Sequence, residues 1–191
     1  MPIRLASYHG TLTLLLAVVF AFDVRAADPA AAESLSLSDG KVTLTAPTGW
    51  VKKEPKFRGI ALYEFAVPKA EGDAADGRVT VGQAGGDIEA NQQRWLGQFA
   101  QPDGSKTADR AKHRVKDVAG AKVHLLDVSG TYVAPPFSGG GKFPDYRMLA
   151  AIVVTPKHGS WYVRLYGPEK TIAQQVADFD KMMDGLKIQA N

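Results

Sequence analysis

The chain contains no cysteine. That excludes a disulfide framework, a thiolate nucleophile, a thiolate metal site and a lipid-modified cysteine at a processed N-terminus. Histidine is scarce, with 4 in 191 residues, and His113, His124 and His158 stand alone, with none of the H-x-H or H-E-x-x-H spacing that a zinc site uses. No serine lies in a G-x-S-x-G elbow. Charge of one sign is missing as well: 23 Lys and Arg balance 20 Asp and Glu, so net charge by itself predicts neither a nucleic-acid nor a membrane partner. Beyond the N-terminal region no apolar run approaches the roughly 20 residues of a membrane span.

What is present begins at the N-terminus. Arg4 is followed by an apolar stretch from Thr11 to Phe22, closed by Asp23, and then by Val24-Arg25-Ala26. A basic start, an apolar segment too short to cross a bilayer and small residues at the cleavage positions are the marks of a secretory signal peptide. The expected cut follows Ala26 and leaves 165 residues with 21 basic and 19 acidic side chains. A chain of that length suits one domain and can bury roughly 70% of its unfolded surface without a covalent staple. The expected organisation is a signal peptide over 1–26, an Ala-rich lead-in over 27–34, and one domain over 35–191.

Within that domain, short period-2 segments separated by turn residues predict strands. They fall at Lys41 to Leu44, Ile60 to Val67, Arg78 to Gln83, Arg110 to Val118, Lys122 to Val133, Tyr146 to Thr155 and Ser160 to Leu165. Asp76-Gly77 reads as a hairpin turn. Tyr146 to Val154 is apolar on both faces, as expected of a central strand covered on each side. A first helix is predicted after a cap at Asp87, with Ile88, Trp95, Leu96 and Phe99 on one side. A terminal helix is predicted after Pro168, with Ile172, Val176, Phe179, Met183 and Leu186 in one stripe. This order predicts an α+β fold with a mostly antiparallel sheet covered by two helices.

Several of these segments resemble the PsbP-like family. They are Ala46-Pro47-Thr48-Gly49-Trp50, the helix Asn91-Gln92-Gln93-Arg94-Trp95, Val128-Ser129-Gly130-Thr131-Tyr132, and Trp161 to Ile172 leading into the last helix. The similarity is nearest to small exported bacterial members with no assigned activity. It implies an antiparallel sheet between helices, and a binding or assembly role more than an enzymatic one.

The most specific surface feature is a row of cations. Arg110, Lys112, Arg114 and Lys116 alternate with other residues, and residues two apart in a strand share a face. A three-residue turn over Val118 to Gly120 would set Lys122 beside Lys116 and His124 beside Arg114. Such a stripe invites an anionic partner or nearby carboxylates; alternatively it is a solvated face protecting an edge strand. Ser138-Gly139-Gly140-Gly141-Lys142 superficially matches a phosphate loop, but Phe143-Pro144 follows where that motif needs helical amides. The segment from Ala134 to Asp145 reads instead as a long loop. Glu71, Asp73 and Asp76 lack calcium-loop spacing and read as an acidic hairpin tip.

The function expected from these residues is an exported, non-catalytic binding or assembly module without a cofactor or metal. Its expected partner is a protein or an anionic polymer of the envelope, not nucleic acid, and signal cleavage would leave no membrane anchor. The alternative is an envelope or extracellular hydrolase whose residues converge only in the fold.

Overall fold

In a computed structural model, residues 30–189 are described; the expected signal peptide and the first residues of the lead-in lie outside them. The elements follow in chain order. Strands β1 (Glu33–Leu37), β2 (Val42–Ala46), β3 (Val51–Lys53), β4 (Ala61–Val67) and β5 (Gly77–Gly82) precede helix α1 (Ile88–Leu96). Next come β6 (Phe99–Ala100), α2 (Thr107–Arg110), β7 (Lys112–Val118), β8 (Ala121–Val133), β9 (Lys142–Val154) and β10 (Ser160–Pro168). Helices α3 (Glu169–Ala173) and α4 (Val176–Asp184) and strand β11 (Lys187–Ile188) complete the chain.

Eight strands form one sheet in the order β3-β4-β5-β10-β9-β8-β6, with β7 also pairing along β8. Every strand pair in it is antiparallel. A small sheet, β1-β2-β11, packs on one face of it together with α3 and α4. The opposite face carries α1. The fold is therefore α+β and mostly antiparallel, with helices on both sheet faces.

The double coverage explains β9. Leu149, Ala151 and Val153 point to the α3–α4 side, and Met148, Ala150 and Ile152 to the α1 side. Both sets are buried, so the strand has no solvent face on which to place a polar residue. Trp95 from α1 and Phe179 from α4 are buried on opposite sides of the sheet, 2% and 3% exposed.

Several local expectations differ from the structure. β1 begins at Glu33, inside the segment read as lead-in. The Asp76-Gly77 turn is not tight, since residues 68–76 separate β4 from β5. That connection is held by side chains: Asp76 accepts from the Lys69 amide at 3.0 Å, and Asp73 accepts from the Thr171 amide at 2.8 Å, in the first turn of α3. The acidic tip thus anchors a helix start, where a carboxylate is electrostatically favourable. The terminal helix is broken. Gln174 and Gln175 separate α3 from α4 at the point where the Trp50 indole N–H donates to Gln175 Oε1, 2.9 Å away. The Ala134–Asp145 loop is also shorter than expected. β9 starts at Lys142, with Phe143 opposite Tyr132, after a bulge between Gly130 and Tyr132.

Candidate functional site

The site begins with the alternation of β10. Tyr162, Arg164 and Tyr166 share the α1 face, while Trp161, Val163 and Leu165 enter the opposite core. On β5, Gly82, Thr80 and Arg78 lie directly opposite Tyr162, Arg164 and Tyr166. Above this row α1 brings Trp95, and the connections after β3 and after β8 bring Phe57 and Phe137. These two rings meet edge to face, with centroids 5.7 Å apart. Together they enclose a pocket of about 780 Å³. Its lining includes Arg78, Arg94, Arg164, Trp95, Tyr132, Tyr162 and Tyr166, but no carboxylate and no imidazole among the described residues.

The three arginines differ in how their charge is met. Arg78 is fully engaged: Nε and Nη2 donate to the two Glu64 oxygens at 2.8 and 2.9 Å, and Nη1 donates to the Tyr166 hydroxyl at 2.7 Å. The Glu64 contact raises the guanidinium pKa further still. Arg94, on α1, donates to the Asn91 side chain and belongs to no ion pair among the described residues. Arg164 is the unusual one. Its Nη2 donates to the neutral Gln98 Oε1 at 2.7 Å, and its guanidinium lies 5.5 Å from the Trp95 ring and 5.2 Å from Tyr166.

No carboxylate partners Arg164 among the described residues. Its Nε is sealed from solvent and has no hydrogen-bond partner, the single such side-chain atom there. Burial lowers its pKa, and the charge of Arg94 pushes the same way. An unpaired donor costs roughly 1–3 kcal/mol, and an uncompensated buried charge more. Cation–π contact with two rings offsets part of that. The arrangement can accept an anion.

The expected cationic stripe is reorganised by one residue of register. Ala119 and Gly120, with φ of 50° and 80°, form a two-residue turn between Val118 and Ala121. Primed two-residue turns match the twist of paired strands, which type I and II turns would splay. Lys122 consequently sits opposite Asp117, with Nζ 3.1 Å from its carboxylate, and His124 sits opposite Val115. Neither stands beside the stripe.

Arg110 ends α2 rather than entering the strand, and its Nη2 lies 2.7 Å from Asp103. Lys112, Arg114 and Lys116 do share a face of β7, but α4 crosses it. Arg114 donates to both oxygens of Asp180 at 2.9 and 3.1 Å, and Lys116 pairs with Asp184. Lys112 alone of the four belongs to no ion pair among the described residues. With Arg110 it lines a shallower cleft of about 510 Å³ that also holds Asp103, Asp127, Arg147 and Glu169. There Arg147 is paired with Asp127 at 2.8 Å, and Ser129 donates to Glu169 at 3.0 Å.

Among the described residues no three His, Asp or Glu side chains converge as a metal site would require, and no helix is long and apolar enough to cross a membrane. Sequence reasoning missed the Arg164 pocket altogether. The available signal was Tyr162-Val163-Arg164-Leu165-Tyr166, an arginine between two tyrosines at period two in a strand otherwise suited to a two-sided core.

No family model and no curated protein matches the chain. A solved structure does: the solution structure of cyanobacterial PsbP (CyanoP) from Synechocystis sp. PCC 6803. It aligns over 90% of this chain and 99% of its own, with a TM-score of 0.52 and 12% identity. The fold is PsbP-like. At that identity the likeness speaks to backbone architecture, and the residues of this PsbP-like domain's pocket have to be argued from their own chemistry.

Proposed function

We propose that the protein is an exported, non-catalytic binding module and that it takes an organic anion in the Arg164 pocket. The observation that carries this reading is a shielded guanidinium facing aromatic walls with no carboxylate to balance it. Pockets of some 300–1,000 Å³ with a few convergent polar groups are the usual form of small-molecule sites. The PsbP-like fold is compatible with a non-catalytic role. Export is supported by the N-terminal pattern, and N-terminal sequencing of protein recovered outside the cytoplasm should begin at Ala27. Recovery of the intact Met1 form in membranes alone would reject export.

Thermal unfolding of the purified protein against a panel of organic anions tests the binding reading. A ligand present at 100 times its Kd should stabilise the protein by about 2.7 kcal/mol, and Arg164→Met should abolish the gain. A panel without effect on the wild type would reject the reading. One contact favours catalysis instead, the Ser129–Glu169 hydrogen bond in the charged cleft. Hydrolysis of a simple aryl ester that disappears in Ser129→Ala would replace binding by the hydrolase alternative.

A larger anionic partner on the Arg110, Lys112, Arg114 and Lys116 row is a proposal of the same kind. It is supported by exposed Lys112 beside Arg110 at the mouth of the cleft. Retention on a polyanionic matrix should be lost in Arg110→Glu with Lys112→Glu. It should persist in Arg114→Glu with Lys116→Glu, an equal change in net charge at residues already engaged by α4. Equal behaviour of the two pairs would reject this contact.

A further inference from the structure

We propose that the ligand of the pocket is an aryl carboxylate, a monoanion carried on a flat ring; the proposal rests on the reading of this pocket as the binding site. Three observations narrow the chemistry. The first is volume. About 780 Å³ is far more than an inorganic ion fills, and the remaining space would hold water against aromatic walls unless an organic body displaced it.

The second is the shape of those walls. Trp95 and Tyr162 line the pocket but pack edge to face on each other, 2% and 7% exposed. Phe57 and Phe137 meet at 77° with centroids 5.7 Å apart, and Phe137 is 71% exposed at the rim, so this pair presents surfaces at nearly a right angle. A planar ring can stack on one such surface and contact the edge of the next, whereas an aliphatic chain gains no such geometry.

The third is the count of available charge. Arg78 has three nitrogens committed to Glu64 and Tyr166, so its charge is already compensated. Arg94 and Arg164 are the two lining guanidiniums without an ion pair among the described residues; Arg94 is exposed and its charge is met by solvent, which leaves Arg164 as the shielded one. With Nη2 already donating to Gln98 and Nε sealed, the remaining Nη donors suit one carboxylate as a charge-assisted partner. A phosphate dianion, with three acceptor oxygens and about twice the charge, calls for more shielded positive charge than the single Arg164 guanidinium supplies.

The test compares three probes on the purified, unmodified protein: 2-naphthoate, its neutral isostere 2-naphthalenemethanol, and inorganic phosphate. The readout is the three tryptophan indole N–H signals in a proton–nitrogen NMR spectrum. Trp50 and Trp161 lie on the other side of the sheet, with their indoles bound to Gln175 and His158. They serve as internal controls for folding. The expected result is a saturable shift of the Trp95 signal alone, with 2-naphthoate bound at least about tenfold more tightly than the alcohol, the effect of a charged hydrogen bond in a shielded site. Phosphate should leave Trp95 unmoved. Arg164→Met should bring the acid and the alcohol to equal affinity.

Equal binding of acid and alcohol by the wild type would overturn the carboxylate assignment while leaving the pocket as a binding site. A Trp95 shift with phosphate that matches the naphthoate shift would overturn it in favour of a bare oxyanion. No Trp95 response to naphthoate would overturn it outright, and the organic-anion panel then judges the pocket independently. The wild-type comparison stands even where Arg164→Met fails to fold.

Discussion

Replacing Phe179 by alanine should destabilise the protein by roughly 3–5 kcal/mol, the range for truncating a buried aromatic side chain. Phe179 is 3% exposed and belongs to the core cluster between the large sheet and the α3–α4 layer. α4 is nine residues long, too short to hold its helix without tertiary packing. Met182 and Met183 beside it are buried and flexible enough to sag into the space, which favours the lower end of the range. For a domain of this size each kcal/mol moves Tm by roughly 2–4 °C, so a fall on the order of 10 °C is expected in a thermal melt. Lys181→Ala on the exposed face of the same helix should move stability by no more than about 0.5 kcal/mol. Equal melting of Phe179→Ala and wild type would mean that α4 does not seal this face.

The second large effect is expected at Glu64. This residue is 8% exposed, accepts the Arg78 fork at 2.8 and 2.9 Å, and accepts the Lys56 amide at 2.9 Å. Burial pushes its carboxyl pKa up, but the hydrogen bonds and charge of Arg78 and the Lys56 amide outweigh burial and leave it below the ordinary value. A carboxylate whose folded pKa is depressed contributes stability that is complete above its unfolded pKa, about 4.3, and is lost as pH falls through the folded value. Wild-type stability should therefore decline on acidification below about pH 4.3.

Glu64→Gln should flatten part of that decline. It should also cost roughly 3–5 kcal/mol at pH 7, because Arg78 is left partly buried without its counter-charge. Urea denaturation at pH 7 and pH 3 measures both. The double variant Glu64→Leu with Arg78→Met should recover most of the loss, since replacing both partners by apolar groups is often neutral. A Glu64→Gln protein with unchanged stability at pH 7 would show that solvent already screens the pair. The same result bears on the pocket. If Arg78 is compensated by Glu64, removing the carboxylate adds a further guanidinium without an ion pair there and should strengthen anion binding.

Much of the architecture was legible because burial leaves a periodic trace. β9 could be read from its apolar faces, and α1 and α4 from the spacing of Trp95 and Phe179. The resemblance carried by Ala46 to Trp50 and Val128 to Tyr132 pointed to the fold that the CyanoP alignment then supported. What escaped was set by contacts distant in sequence. β11 is two residues long and exists because β2 offers it a free edge. The break at Gln175 coincides with a hydrogen bond from Trp50, 125 positions away.

The candidate sites divide in the same way. Alternation along one strand is a local property, so the sequence by itself determined that Lys112, Arg114 and Lys116 share a face of β7, and also that Tyr162, Arg164 and Tyr166 share a face of β10. Which of those cations keeps a free charge is not local. It depends on where carboxylates from other elements arrive, because a charge pair acts only over a few ångströms when partly shielded and little beyond a Debye length of about 8 Å in solvent. Tertiary structure brought Asp180 and Asp184 of α4 onto Arg114 and Lys116 and Glu64 of β4 onto Arg78. Onto Arg164 it brought neutral groups, Gln98, Trp95, Tyr132 and Tyr166, and among the described residues no carboxylate. The row of cations most visible in the sequence was thereby partly neutralised, and the single arginine between two tyrosines became a shielded charge with no carboxylate beside it.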